Sequence, residues 1–139
     1  MKILSDGHRL ILPCRNEITS TKLKENISTY INSQKQFNFP AIDIETPICD
    51  LSDLSNVETC LYSIGKAYNE IDSLVLNAGL QYTGSKQPRL SAQNFELTFA
   101  VNHLANVLIV NRLLPLIEKS NNPRIIITSS EVHNPNSPG

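Results

Sequence analysis

The run Leu74-Val75-Leu76-Asn77-Ala78-Gly79 constrains the fold of this chain more than any other stretch. Ile71 to Leu76 reads as a buried apolar strand. Its ending in Asn-Ala-Gly lets backbone approach a flat ligand at the strand's carboxyl end. Two polar sites follow at a distance that lets them share that rim: Asn102, inside the apolar helical run Phe99-Ala-Val-Asn-His-Leu, and Thr128-Ser129-Ser130, which closes the strand pattern Arg124-Ile-Ile-Ile.

The rest of the chain alternates strand and helix. Arg9 to Cys14 is a short strand pattern, and Leu23, Ile27, Tyr30 and Ile31 mark one face of a helix. Pro40 restarts the chain as extended; Ile42, Ile44 and Ile48 alternate through Ala41 to Cys49, with Pro47 placing that strand near an edge or an end, and Asp50 follows. Ser55-Asn-Val-Glu58 fits a capping box, and Val57, Leu61, Ile64 and Tyr68 lay a stripe down the helix it opens, with Asp50, Ser52 and Asp53 competing for the cap. A loop from Gly79 to about Arg89 leads to a long helix, about Ala92 to Glu118, expected to carry Phe95, Phe99 and Leu104 inward and to kink or end early at Pro115. The Asn121-Asn-Pro123 turn delivers the last strand, and Asn134 to Gly139 reads as loop. This alternation specifies an α/β chain with a parallel sheet and helices on both faces. With no repeat, low-complexity tract or linker, residues 1–139 are expected to form one domain.

Composition narrows the function classes. With 40% hydrophobic and 18% charged residues, 139 residues suffice for a real core. A net charge of -1 without a basic stripe argues against nucleic acid as a partner. Cys14, Cys49 and Cys60 form no C-x-x-C pair, and their odd count reads as small buried hydrophobes in a reducing compartment. No membrane span is expected, because the longest apolar stretch, Leu104 to Ile117, is broken by Asn106, Asn111 and Arg112. The amino terminus lacks a signal-peptide core, which makes cytoplasmic the expected location. No metal site is expected, since nothing has ligand spacing to His103.

The order Asn-Ala-Gly, mid-helix Asn102, strand-terminal Ser130 resembles the middle of a short-chain dehydrogenase/reductase. Ser-Ser-Glu-Val-His133 is most similar to the retinol dehydrogenase, WW-domain oxidoreductase and protochlorophyllide reductase-like branch. The resemblance implies a Rossmann-like doubly wound parallel sheet binding NADP(H) beyond the carboxyl ends of its strands. Arg15, at the end of the first strand, would suit the 2′-phosphate through its guanidinium, favouring NADP over NAD. Asp50 would contact the adenine through its side chain or through the adjoining Leu51 N–H, and Asn77, Ala78 and Gly79 would line the cofactor ribose, with Asn77 also able to tie neighbouring strands. Asn102 would hold water in a proton relay, and Ser130 would polarise the substrate carbonyl, with Ser129 the weaker choice. A mid-helix Asn must in any case find a partner, because an unsatisfied buried amide costs roughly 1 to 3 kcal/mol. His133 would line the substrate pocket or pack its loop; His103 is read as packing.

Two parts of the family pattern do not occur. No T-G-x-x-x-G-x-G precedes the first strand, and no Y-x-x-x-K follows Ser130; Tyr30, Tyr62, Tyr68 and Tyr82 lie in the wrong segments to replace it. The expectation is an incomplete sheet, with the first βα unit and the C-terminal strands missing. A missing central strand would leave a gap of roughly 10 Å or force re-pairing. The reading is a short-chain oxidoreductase transferring hydride to or from a carbonyl or alcohol of a lipophilic small molecule, truncated and inactive by itself, and self-associating through exposed strand edges. The alternative is a non-catalytic remnant or binding partner that completes its sheet with another chain. A nucleotide-sensing regulator is weaker, because Asn102 and Ser130 would be retained without need.

Overall fold

The computed structural model describes residues 8–33, 43–81 and 87–130. Expectations placed on Pro40, Ile42, Tyr82, His133 and the 134–139 tail fall outside them. The chain divides into two compact units, Met1–Leu51 and Ser52–Gly139.

In the first unit β1 (Leu10–Ile11) and β2 (Ile44–Glu45) pair in parallel, Leu10 opposite Ile44 and Ile11 opposite Glu45. Both strands are shorter than the apolar patterns suggest. Pro13 and Pro47 have no N–H to give a ladder, yet the pairing resumes at a single bridge between Cys14 and Ile48, with Cys14 N–H donating to the Pro47 carbonyl at 2.8 Å and Cys49 N–H to that of Cys14 at 2.7 Å. Cys14 and Cys49 are buried and free. α1 (Glu17–Ser33) is entered through Asn16, whose Oδ1 accepts from Thr19 N–H and its hydroxyl, both at 2.9 Å. Buried Ser20 fixes the helix against the β2 side, 2.7 Å from the Thr46 hydroxyl. Leu23, Ile27, Tyr30 and Ile31 are half-buried.

The second unit is built around two helices and a two-stranded parallel sheet. α2 (Leu54–Ala67) buries Val57, Cys60, Leu61 and Ile64 on the expected stripe, Val57 with no exposed surface. Its cap differs from the capping box at Ser55: Asp53 is the N-cap, its Oδ1 accepting from Ser55 N–H at 2.9 Å. Asp53 wins because Gln93 braces the same end, Nε2 donating to the Asp53 carboxylate at 2.8 Å and Oε1 accepting from Leu54 N–H at 3.1 Å. β3 (Ser73–Leu76) and β4 (Arg124–Ile127) run in parallel with Leu74 opposite Ile125 and Leu76 opposite Ile127. The amino-terminal end of this pair is closed by Ser120, whose hydroxyl donates to Asp72 at 2.5 Å.

Between these strands lies one long helical segment: α3 (Leu97–Phe99), a wide π turn (Ala100–Leu104) and α4 (Ala105–Ile117). It begins at Leu97, because Glu96 caps it with both carboxylate oxygens, on the N–H groups of Thr98 and Phe99. Residues 91–95 instead form a turn with Asn94 at φ 63. Phe95 and Phe99 are exposed, contrary to the inward placement expected: Phe95 lies in the turn ahead of the helix, and past Phe99 the widened turn sets the register in which Ala100, Val101, Ala105, Ile109, Leu113, Leu116 and Ile117 form the buried face. Pro115 does not end the helix early: it sits in the last turn, and the helix runs on to Ile117 with one backbone bond forgone. α4 packs on α2 and on β3. By register Leu74, Leu76, Ile125 and Ile127 share one face of the sheet and Val75 and Ile126 the other, where they are 57% and 50% exposed.

Candidate functional site

Each described residue given a site role from the sequence falls beyond the carboxyl end of a strand or bridge or on the long helical segment. In the first unit exposed Arg15 follows the Cys14 bridge, and half-buried Asp50 and Leu51 follow Cys49. In the second, Asn77, Ala78 and Gly79 follow β3, and Ser130 lies exposed three residues past the end of β4.

Two contacts organise this rim of the second unit. Thr128 donates its hydroxyl to Asn77 Oδ1 at 2.9 Å and its N–H to the Leu76 carbonyl at 2.9 Å, so the ends of β3 and β4 are tied by side chain as well as backbone. Strand tying by Asn77 is the role expected of it. Asn102, in the middle of the π turn, reaches across to Leu80: its Oδ1 accepts from Leu80 N–H at 2.8 Å and its Nδ2 donates to the Leu80 carbonyl at 2.8 Å. Asn102 is exposed, so burial does not force this two-point clamp on it as the sequence suggested; the clamp nonetheless ties the chain after Gly79 to the helix. A Cβ at Gly79 would lie 3.5 Å from Asn102 Oδ1, an ordinary contact, so crowding by the chain itself does not demand glycine there.

His103 stacks on Phe99 with ring centroids 5.1 Å apart, the packing role expected, although on an exposed surface. The carboxylates that shift are helix caps. Asp53 is held below its usual value first by the Gln93 amide and then by Ser55 N–H, and Glu96 by the N–H groups of Thr98 and Phe99. Hydrogen bonds to the charged form cause both.

Sequence reasoning missed Thr128 as the partner of Asn77, Leu80 as the partner of Asn102, and Gln93 as the brace of α2. A threonine ending an apolar strand was a usable signal for the first. The other two are backbone and long-range contacts without local pattern. A groove of about 300 Å³ between α2 and α4, lined by Glu58, Leu61, Tyr62, Gly65, Lys66 and Arg112, contains none of the rim residues.

In each unit a parallel strand pair carries the singled-out polar groups beyond its carboxyl ends, and the fold is that of an α/β protein of Rossmann type, as in the solved structures it resembles. The chain belongs to the short chain dehydrogenase family, whose model matches residues 2–139. It is 34% identical over 104 residues to protochlorophyllide reductase of Chlamydomonas reinhardtii, covering 73% of this chain and 26% of that protein. It is 30% identical over 90 residues to protochlorophyllide reductase of Marchantia paleacea, covering 63% and 20%. Among solved structures it resembles a metagenomic short-chain oxidoreductase in complex with NADP, with TM-score 0.69, 24% identity and coverage of 93% and 54%. It also resembles an alcohol dehydrogenase of Thermococcus sibiricus complexed with 5-hydroxy-NADP, with TM-score 0.68, 22% identity and coverage of 98% and 53%. The chain thus spans about a quarter of these curated relatives and about half of these structures.

Proposed function

We propose that residues 1–139 belong to the NADP-binding part of an oxidoreductase that moves hydride between NADP(H) and a carbonyl or alcohol on a lipophilic small molecule. The observation that carries this reading is the clamped segment after β3: Asn77 tied to Thr128 and Leu80 gripped by Asn102 hold Ala78 and Gly79 exposed at a strand end. Since the chain's own crowding does not require glycine at position 79, the small residue suits close approach of a ligand. The residues present fit the adenosine and ribose parts of the cofactor in kind, and none of them forms the glycine-rich turn that would hold its pyrophosphate. Arg15 would pair with the 2′-phosphate, Asp50 and Leu51 N–H would meet the adenine, and Asn77 to Gly79 would line the ribose.

NADPH, when bound, supplies the hydride. Ser130 would donate its hydroxyl to the substrate oxygen, and Asn102 would hold the wall beside it. With both of its polar side-chain atoms engaged by Leu80, Asn102 serves in this reading by position, and a water would have to share those atoms or meet its backbone. No Y-x-x-x-K occurs in the 139 residues, so a polypeptide of these residues alone is proposed to show no appreciable turnover, and with no glycine-rich turn in them NADPH would be held through its adenosine and ribose ends. Calorimetric titration with NADPH and NADH tests the reading. The expected result is NADPH binding weakened about tenfold or more by Arg15→Ala with NADH little affected. Equal binding of both cofactors, or none, would overturn it. Turnover of aldehydes or ketones that Ser130→Ala abolishes would overturn the inactivity.

A second reading is favoured by the sheet of the second unit. Val75 and Ile126 are 57% and 50% exposed on one face and Ile127 is 63% exposed on the other, whereas parallel sheets ordinarily carry cover on both. Such a surface suits a chain that completes its sheet with another polypeptide or self-associates through strand edges. Sedimentation across a concentration series should show association that Ile126→Lys reduces; a monomer at all concentrations would sink this reading.

A further inference from the structure

The Leu80 clamp has a second support one helical turn on. Asn106, half-buried, donates from Nδ2 to the main-chain carbonyl of Asn102 at 2.9 Å. That carbonyl lies inside the wide turn, where Ala105 N–H reaches back five residues to the Ala100 carbonyl. A π turn is an uncommon register for a helix and needs contacts that hold it. We propose that Asn106 is a positioning residue for the Asn77–Leu80 segment: by gripping the Asn102 carbonyl it fixes the backbone from which the Asn102 amide reaches Leu80.

The same helix contains its own control. Asn111 makes an equivalent bond to the Val107 carbonyl at 2.9 Å, but in the regular α4, and the apolar Val107 side chain passes nothing on to another segment. The local bond is alike at both sites; only at Asn106 does its acceptor belong to a residue that clamps the rim. The functional meaning of the clamp rests on the cofactor reading above, but its mechanics do not.

Residue-resolved amide hydrogen exchange at Leu80, on the full chain, separates positioning from simple helix support. Alanine is a better helix former than asparagine, so Asn106→Ala and Asn111→Ala both preserve or strengthen the helix, and a merely structural role would leave Leu80 as protected as before. The expected result is exchange at Leu80 about fivefold faster in Asn106→Ala, the factor that one hydrogen bond represents. Asn111→Ala should leave it within about twofold of the unaltered chain. Asn106→Ser, whose hydroxyl can return a bond to the carbonyl four residues back, should recover most of the protection. Unchanged exchange in Asn106→Ala, equal acceleration in Asn111→Ala, or no recovery in Asn106→Ser would each overturn the proposal. NADPH calorimetry on the same samples keeps the two ideas apart. A responsive Leu80 in a chain that binds no NADPH supports the positioning role and overturns the cofactor reading, and NADPH binding with an unresponsive Leu80 does the opposite.

Discussion

Asn102→Asp is the sharpest single perturbation of the rim, because it keeps the shape of the side chain and changes one atom of the clamp. The carboxylate retains the bond from Leu80 N–H, but its second oxygen now faces the Leu80 carbonyl, where Nδ2 sits at 2.8 Å. Losing one bond removes about 1 kcal/mol, and setting two acceptors against each other adds somewhat more, discounted because the residue is exposed to solvent. A net deficit of about 1.5 kcal/mol at pH 7 follows, equivalent to raising the introduced carboxyl by about one unit, from roughly 3.9 to roughly 5. Protonation lets the carboxyl donate to the Leu80 carbonyl and rebuild the clamp. The sign is therefore that of a raised carboxyl: the deficit is absent below the unfolded value, grows as pH rises through the folded one, and is constant above. Against the unaltered chain at the same pH, urea unfolding should show a deficit of about 1.5 kcal/mol at pH 7 shrinking to about 0.4 kcal/mol at pH 4. A deficit independent of pH, or an introduced carboxyl titrating at or below about 3.9, would refute the geometry.

Two further outcomes follow from the turn that braces α2. Asn94, at φ 63, should tolerate Gly with little change, whereas Asn94→Val should cost about 1 to 2 kcal/mol in denaturant unfolding; equal stability of the two variants would contradict a left-handed turn there. Asp53, held below its usual 3.8 chiefly by the Gln93 amide, contributes stability that is present above pH 3.8 and lost as pH falls through its lowered value. Gln93→Ala should move the Asp53 carboxyl upward in an NMR titration, and an unmoved titration would show that Gln93 does not brace the cap.

The sequence was most legible where a residue's fate depends on its near neighbours. Val57, Leu61 and Ile64 could be placed on a buried stripe because helical spacing alone puts them there. Leu74 to Leu76 and Ile125 to Ile127 could be placed in strands because short apolar runs between turn residues have few other uses. The roles of Asn77 and Asn102 as anchors were half legible: a polar amide in an apolar setting announces that a partner exists, but not that it is Thr128 or the Leu80 backbone. What could not be read was decided by distant chain. Asp53 rather than Ser55 caps α2 because Gln93 lies alongside, Phe95 faces outward because it belongs to the 91–95 turn ahead of the helix, and Phe99 because the helix widens just after it. The two-residue strands β1 and β2 have no length from which a pattern could set their ends, and two prolines cut them short.

The wide turn at Ala100–Leu104 also works as an indexing device. Each residue of a regular helix rotates the chain by about 100°, so one residue more or less between Asn102 and Ile109 swings everything downstream by more than a quarter of a revolution. The extra residue held in that turn lets a single rod satisfy two appointments, an amide delivered to Leu80 at one end and Ile109, Leu113 and Leu116 delivered to the core at the other. Removing any one codon there would leave the composition almost untouched yet turn one of those ends away from its station.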